Sequence, residues 1–291
     1  MSEMTLKEKD AIRDSLQAYC AKYPSQNKAA GSLKGVSAGT VSTILNGKYE
    51  NISDEMFRNI SSQVGSVAAA GGWQIAETKA FRDIMKAMRD AQELRLVTWI
   101  TGDSGCGKTT VARIYAKENR EVFYIDCRKD MCRHNFVREF ARTVGIKIEG
   151  HSTYDAWDFI MREIIQMDFP LIVLNEADKL CDDVFLYIID MYNTLEDYAG
   201  IVFFSTDQIK RRVDTGLRYN KKGYQEVSSR IGRRFYDLDP TSPNDVYAVC
   251  MANGVTEKKK TDAVIKDSQA YSFDLRRVKK IIQILKRQAE Q

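Results

Sequence analysis

Nine consecutive residues have the types and spacing that hold a triphosphate: Gly102, Asp103, Ser104, Gly105, Cys106, Gly107, Lys108, Thr109 and Thr110. They fit G-x-x-x-x-G-K-[ST], in which glycines let successive backbone N–H groups turn inward around phosphate oxygens. Lys108 offers a cation to the β- and γ-phosphates, and Thr109 offers a hydroxyl to Mg²⁺. The apolar run 96–100 precedes the loop and a helical pattern over 111–116 follows it. A helix start adds its positive dipole end to the phosphate site. Strand, loop and helix in that order argue against a chance glycine-rich turn and predict a nucleoside triphosphate site with Mg²⁺.

Further chemistry lies downstream. Residues 171–174 are apolar and run into Asn175-Glu176-Ala177-Asp178. A central strand that delivers polar groups at its C-terminal end delivers them beside a phosphate loop. Glu176 is placed to orient or deprotonate a water in line with the γ-phosphate. Asn175 stands where an acid would hold magnesium through water; it keeps the oxygen acceptor and loses the charge. The strand over 201–204 ends in Ser205-Thr206-Asp207, and Thr206 is expected between the γ-phosphate and the attacking water. An arginine near 230 would reach a neighbouring subunit's γ-phosphate as a finger, with Arg230 favoured and Arg233 and Arg234 as rivals. Arg276, at the start of the last helix, would fold over the nucleotide.

These groups need a frame. From residue 96 the pattern alternates: strands over 96–100, 121–126, 171–174 and 201–204, and helices over 111–116, 135–144, 154–167 and 184–195. Such alternation predicts an α/β fold, a parallel sheet flanked by helices. Residues 235–238 read as the last strand and 79–92 as a helix leading to the first. Residues 73–79 are candidates to cover the adenine. Past Pro240 and Pro243 the chain turns helical and closes with a helix over 275–287.

Residues 1–65 read as a small all-α unit. A first helix covers 6–23, a short one runs from Ser25 to Leu33, and Ser37 is a good N-cap for another reaching Leu45. Short helix, turn and capped helix form a helix-turn-helix arrangement. Gly31 is expected where two helices cross closely, Val41 and Ile44 in the core, and Met56, Phe57 and Ile60 on one more helix. The second helix would expose Ser37, Ala38, Gly39, Thr40, Ser42 and Thr43. With no Arg, Asn or Gln among them for bidentate base reading, weak and nonspecific DNA contact through residues such as Thr40 and Ser42 is expected; a protein contact is the alternative. The expected domains are therefore a helix-turn-helix unit over 1–65, a linker over 66–78 with the small, uncharged stretch 65–72, an ATPase core over 79–240 and a helical lid over 241–291.

Composition bounds the rest. No apolar run approaches the ~20 residues that cross a bilayer, and the polar N-terminus lacks a signal-peptide pattern, which points to the cytoplasm. Six scattered cysteines without C-x-x-C argue for reduced thiols, and two histidines argue against a histidine-based metal or triad site. Net charge is only +4, yet residues 210–234 carry nine Lys/Arg against two acids, and 258–287 carry ten against three. Clusters this dense suit either a polyanion or a solvated helix face.

Phosphate loop, Asn-Glu strand end, Ser-Thr strand end, Ser229-Arg230-Ile231 and Leu275-Arg276 together resemble the AAA+ ATPases. With the Ser37–Ser42 helix ahead and the Glu176-Ala177-Asp178 order, nearly the whole chain is similar to the phage Mu transposition protein B family. That resemblance implies an ATPase binding ATP and Mg²⁺, with the 102–110 loop and Arg276 on the nucleotide, Thr109 and Asn175 serving the metal, and Glu176, Thr206 and Arg230 in catalysis. It implies a helical filament or ring of copies on double-stranded DNA with little sequence preference, target capture for transposition, a DDE transposase partner and disassembly on hydrolysis. Lys129 and Arg133, with Lys210, Arg211, Arg212, Lys221 and Lys222, loosely match the pore-lining DNA contacts of such filaments. The family usually has Asp-Glu where Asn175-Glu176 stand and often Asn where Thr206 stands, which bears on metal affinity and rate. The competing readings are a sequence-specific transcription regulator with an ATPase switch, which needs a dimer and a palindromic site, and a replication helicase or clamp loader.

Overall fold

The computed structural model describes residues 4–21, 23, 25–33, 35–64 and 73–289. The linker segment expected at 65–72 lies outside these. The chain divides into two compact units, Met1–Gln74 and Ile75–Gln291.

Among the described residues, the first unit contains four helices: α1 (Leu6–Cys20), α2 (Gln26–Gly31), α3 (Ala38–Leu45) and α4 (Asp54–Val64). Local chemistry sets their starts. Thr5 and Glu8 form a reciprocal capping box on α1, Ser25 caps α2, and Ser37 caps α3 by accepting the Thr40 N–H. Ile12, Leu16, Val41, Ile44, Phe57 and Ile60 form the core. Gly31 departs from expectation: it is exposed, and a Cβ there would meet nothing within 4 Å, so it marks no close helix crossing.

The second unit is a three-layer α/β core with a helical lid. Its strands are β1 (Val97–Thr101), β2 (Val122–Asp126), β3 (Leu171–Asn175), β4 (Gly200–Ser205) and the two-residue β5 (Tyr236–Asp237). They lie in the order β2-β3-β4-β1-β5, and every pairing is parallel. Parallel strands are covered on both faces, so they read as continuous apolar runs rather than alternations. Leu171 and Val173 face α5 (Lys79–Leu94) and α6 (Lys108–Glu118). Ile172 and Leu174 face the larger cluster from α7 (Arg133–Val144), α8 (Thr153–Ile165) and α9 (Asp182–Leu195). Trp99 stacks on Phe203 at 4.5 Å and donates 2.6 Å to Ser205 Oγ, which ties β1 to β4 at the sheet's centre.

Two helices were not apparent in the sequence pattern: α10 (Gln208–Arg218) and α11 (Tyr224–Arg230). They fill the basic stretch, and a Cβ on Gly216 of α10 would come within 2.1 Å of the Tyr224 ring. The lid comprises α12 (Pro243–Ala252), α13 (Lys258–Gln269) and α14 (Leu275–Ala289), packed through Val246, Val249, Val264, Val278 and Ile282. Asp245 joins lid to core. It closes a capping box with Ser242 and also accepts the Lys79 N–H of α5 at 2.8 Å. Among the described residues, no helix is long and apolar enough to cross a membrane.

Candidate nucleotide site

Because β1 lies inside the parallel sheet and α6 starts at its C-terminal end, the 102–107 loop opens at the edge where α/β folds bind ligands. Gly105 has φ +85° and Gly107 has φ +103°, conformations that suit glycine and aim backbone N–H groups inward. Gly107 is also the N-cap of α6. Gly102 is buried, and a Cβ there would press Leu238 at 3.1 Å. Cys106 is buried, whereas Asp103, Ser104 and Thr110 are exposed. Lys108 Nζ donates to the Gly102 carbonyl at 2.6 Å and the Asp103 carbonyl at 2.8 Å, which keeps its ammonium at the loop mouth.

Three other stretches meet this loop. The end of β3 brings Asn175, only 3% exposed, with Oδ1 3.4 Å from Thr109 Oγ1. The lid brings Arg276, whose Nη1 donates to Ser104 Oγ at 3.1 Å. The Leu275 N–H donates to the Gly105 carbonyl at 3.2 Å, and the Asp274 carboxylate lies where a Cβ on Gly105 would be. The end of β2 brings Asp126, a residue that the sequence pattern did not single out. Asn175 Nδ2 donates 2.8 Å to Asp126 Oδ1, Tyr124 OH donates 2.5 Å to the same oxygen, and Arg113 Nη2 donates 2.7 Å to Oδ2. Burial opposes charge on Asp126, but those three donors together hold its carboxyl below the usual range. Its signal in the sequence was only an acid ending a strand, which gains meaning once β2 is known to pair with β3.

Glu176 follows Asn175 in the left-handed region at φ +57°, a conformation that costs a non-glycine residue about 1–3 kcal/mol. Its carboxylate pairs with Lys179 Nζ at 2.5 Å and remains half exposed. Thr206 Oγ1 lies 3.4 Å from Asp178 Oδ2, so the two strand ends that carry Glu176 and Thr206 touch. Burial pushes the Asp178 carboxyl up.

The oxygen donors fit Mg²⁺. A threonine hydroxyl, an amide oxygen and a nearby carboxylate are hard ligands, and this ion ordinarily takes few protein ligands while phosphates and waters supply the rest. Among the described residues no cluster of three His, Cys, Asp or Glu could cage a metal independently.

The basic candidates separate into two groups. Lys129 stands exposed in the loop after β2 and Arg133 at the start of α7, and Arg211 and Lys222 are exposed on and after α10. Arg212 is not available to DNA as expected. Its guanidinium donates to Tyr224 OH, to the Asp178 and Leu180 carbonyls and to Asp182, and lies 4.5 Å over the Phe185 ring. Lys210 is paired at the surface, bridging Asp207 at 3.0 Å and Asp237 at 2.6 Å, and Lys221 leans toward Asp182 at 3.6 Å. Arg230 packs its guanidinium 5.1 Å over Tyr192, while Arg233 and Arg234 are exposed. In the first unit Thr40 is half-buried and bonded to Ser37 through its hydroxyl at 2.9 Å, and Ser42 is half-buried, so both present less surface than expected.

Comparison with known proteins bears on the fold and on the relatives of this chain. Residues 91–213 match the AAA domain family. The chain is 22% identical over 258 residues to the ATP-dependent target DNA activator B of Escherichia phage Mu, covering 86% of this chain and 80% of that protein. It is 25% identical over 229 residues to the Mu-like prophage FluMu DNA transposition protein B of Haemophilus influenzae, covering 76% and 77%. Among solved structures, the Aeropyrum pernix Orc1 protein in complex with DNA superposes with a TM-score of 0.52 at 16% identity, over 68% of this chain and 56% of its own, which shows the fold.

Proposed function

We propose, on the premise that this chain carries a P-loop AAA+ core and is related to the Mu-type target DNA activators, that it is an ATP-dependent, largely nonspecific DNA-binding protein. It assembles as a filament or ring on duplex DNA, captures that DNA as a transposition target, and recruits or activates a DDE transposase. The observation that carries the reading is the convergence of Lys108, Thr109, Asn175 and Arg276, from three separate stretches, on one phosphate loop.

In this reading Lys108 and the inward N–H groups bind the β- and γ-phosphates, and Arg276 senses the nucleotide from the lid. Thr109 and Asn175 would hold Mg²⁺, which when bound offsets charge on the phosphates. Glu176 orients the attacking water, and Thr206 fixes the neighbouring strand end beside it. An arginine of a second copy completes the site. The exposure of Arg233 and Arg234 favours them over Arg230, which is stacked on Tyr192. Lys129, Arg133, Arg211 and Lys222 meet phosphates, with Lys221 beside them. ATP hydrolysis then releases the assembly in the cytoplasm of a bacterial host.

Binding to random-sequence duplex, followed by fluorescence anisotropy with and without a slowly hydrolysed ATP analogue, tests this. The analogue is expected to tighten binding, and the affinity should fall steeply with salt as phosphate contacts release counterions. Electron microscopy should show assemblies on DNA only when the analogue is present. DNA affinity and oligomer size that ignore the analogue would overturn the reading; footprinting to one palindromic site would favour a transcription regulator.

A further inference from the structure

We propose that Asp126 is the acidic partner of the metal site: it fixes the Asn175 amide with its oxygen toward Thr109 and supplies the negative charge that Asn175 lacks. The inference rests on the nucleotide-site reading above and adds a residue to it.

Asp126 and Asn175 are direct partners in the parallel pairing of β2 with β3, so their side chains emerge side by side at the C-terminal edge of the sheet. An amide has a donating end and an accepting end, whereas a carboxylate only accepts. Asp126 Oδ1 therefore selects the NH₂ end of Asn175, at 2.8 Å. The amide oxygen is left facing Thr109 Oγ1 at 3.4 Å. Reversing the amide would set its oxygen against the carboxylate. Asn175 is only 3% exposed, so water cannot readily compensate such a reversal.

Asp126 is itself held in place. Tyr124, two residues earlier on β2, binds one of its oxygens, and Arg113 binds the other. Arg113 lies one turn beyond Thr109 on α6. The three elements that frame the site, β2, β3 and α6, thus all anchor this carboxylate. Mg²⁺ retains several of its waters in protein sites, so a carboxylate one side chain back from the direct ligands can accept from one of those waters. An asparagine in β3 with an aspartate beside it in β2 distributes over two strands what a single acidic residue would do in one.

The test follows the metal rather than turnover. Binding of a fluorescent ATP analogue to the full chain is titrated against Mg²⁺, and Mn²⁺ binding is followed by electron paramagnetic resonance in the presence of nucleotide. Asp126→Asn keeps the shape and an accepting oxygen and removes the charge. It is expected to raise the metal concentration at half-saturation about tenfold, the low end for loss of a residue behind the direct ligands. Metal-free nucleotide affinity should stay unchanged. The exchange Asp126→Asn with Asn175→Asp moves the charge one strand over and reverses the hydrogen bond, so it should restore the original metal dependence. An Asp126→Asn chain with the wild-type metal dependence overturns the proposal, as does an exchanged chain no better than Asp126→Asn. If the wild-type chain binds no nucleotide with or without metal, the nucleotide reading fails instead.

Discussion

The phosphate loop and the α10–α11 stretch carry comparable promise in sequence and meet different fates in the fold. In the loop, Gly105 and Gly107 adopt positive φ and α6 starts at Lys108, because glycine torsions and a helix start act over a few consecutive residues. In the basic stretch, the charges were expected to face a polyanion or solvent, yet Arg212 and Lys210 are engaged by partners within the chain. Asp207, three residues before Lys210, is a local partner, but the Asp178 and Leu180 carbonyls, Asp182 and Asp237 are distant in sequence and near only after folding. A backbone-built site is therefore legible locally, whereas the freedom of a surface charge depends on non-local neighbours.

The largest test of this contrast removes the loop's charge. Lys108→Ala is expected to weaken ATP binding by about 10- to 100-fold, the equivalent of the ~1.5–3 kcal/mol of a charge-assisted hydrogen bond, with the helical circular dichroism signal unchanged. An unaltered affinity in a nucleotide titration would remove the loop from phosphate binding. Next come the adjacent arginines. Arg212→Ala should lower unfolding stability by about 2–3 kcal/mol in denaturant titrations, because it strands the Asp178 and Leu180 carbonyls and strips the guanidinium from the Phe185 ring. Arg211→Ala should leave stability within about 0.5 kcal/mol and instead reduce the salt slope of DNA binding by about 1. The reverse pattern would break the contrast.

A pH-dependent effect concerns Asp245, which combines a local cap with a non-local bond. Burial opposes its charge, but the Lys79 N–H and the Ser242 hydroxyl and N–H together hold its carboxyl below the usual range. A depressed native value means that the unfolded chain takes up the proton first as pH falls. The stabilisation is thus complete above the ordinary carboxylate range, near pH 4, and is lost as pH drops through the native value. Asp245→Asn should cost about 1 kcal/mol at neutral pH, typical of a lost cap. The gap between the two thermal melting curves should close in acid; a gap that persists would assign the effect to packing.

Much of the frame was legible. The apolar runs at 171–174 and 201–204 mark strands covered on both faces, and Ser37 sets the start of α3 by accepting the Thr40 N–H. The meeting of Arg276 with Ser104 also follows the expected order of lid and loop. Three things were not legible. Helices α10 and α11 are masked by charge, because their buried face relies on few residues, Ile209, Val213, Tyr224 and Val227. Gly31 lacks the crossing that a small residue suggests. Asp126 acquires its role only from the β2–β3 register, which no local pattern encodes.

The contact between Gly105 and the first turn of α14 has a mechanical meaning. The Asp274 carboxylate fills the space that any side chain at 105 would need, and Leu275 hydrogen-bonds the same glycine. Helix α14 is 15 residues long, about 22 Å at 1.5 Å per residue. It is therefore a lever with its short arm resting on the phosphates' seat. Any tilt of the helix about Gly105 would grow with distance along it and be greatest near Lys286 and Arg287.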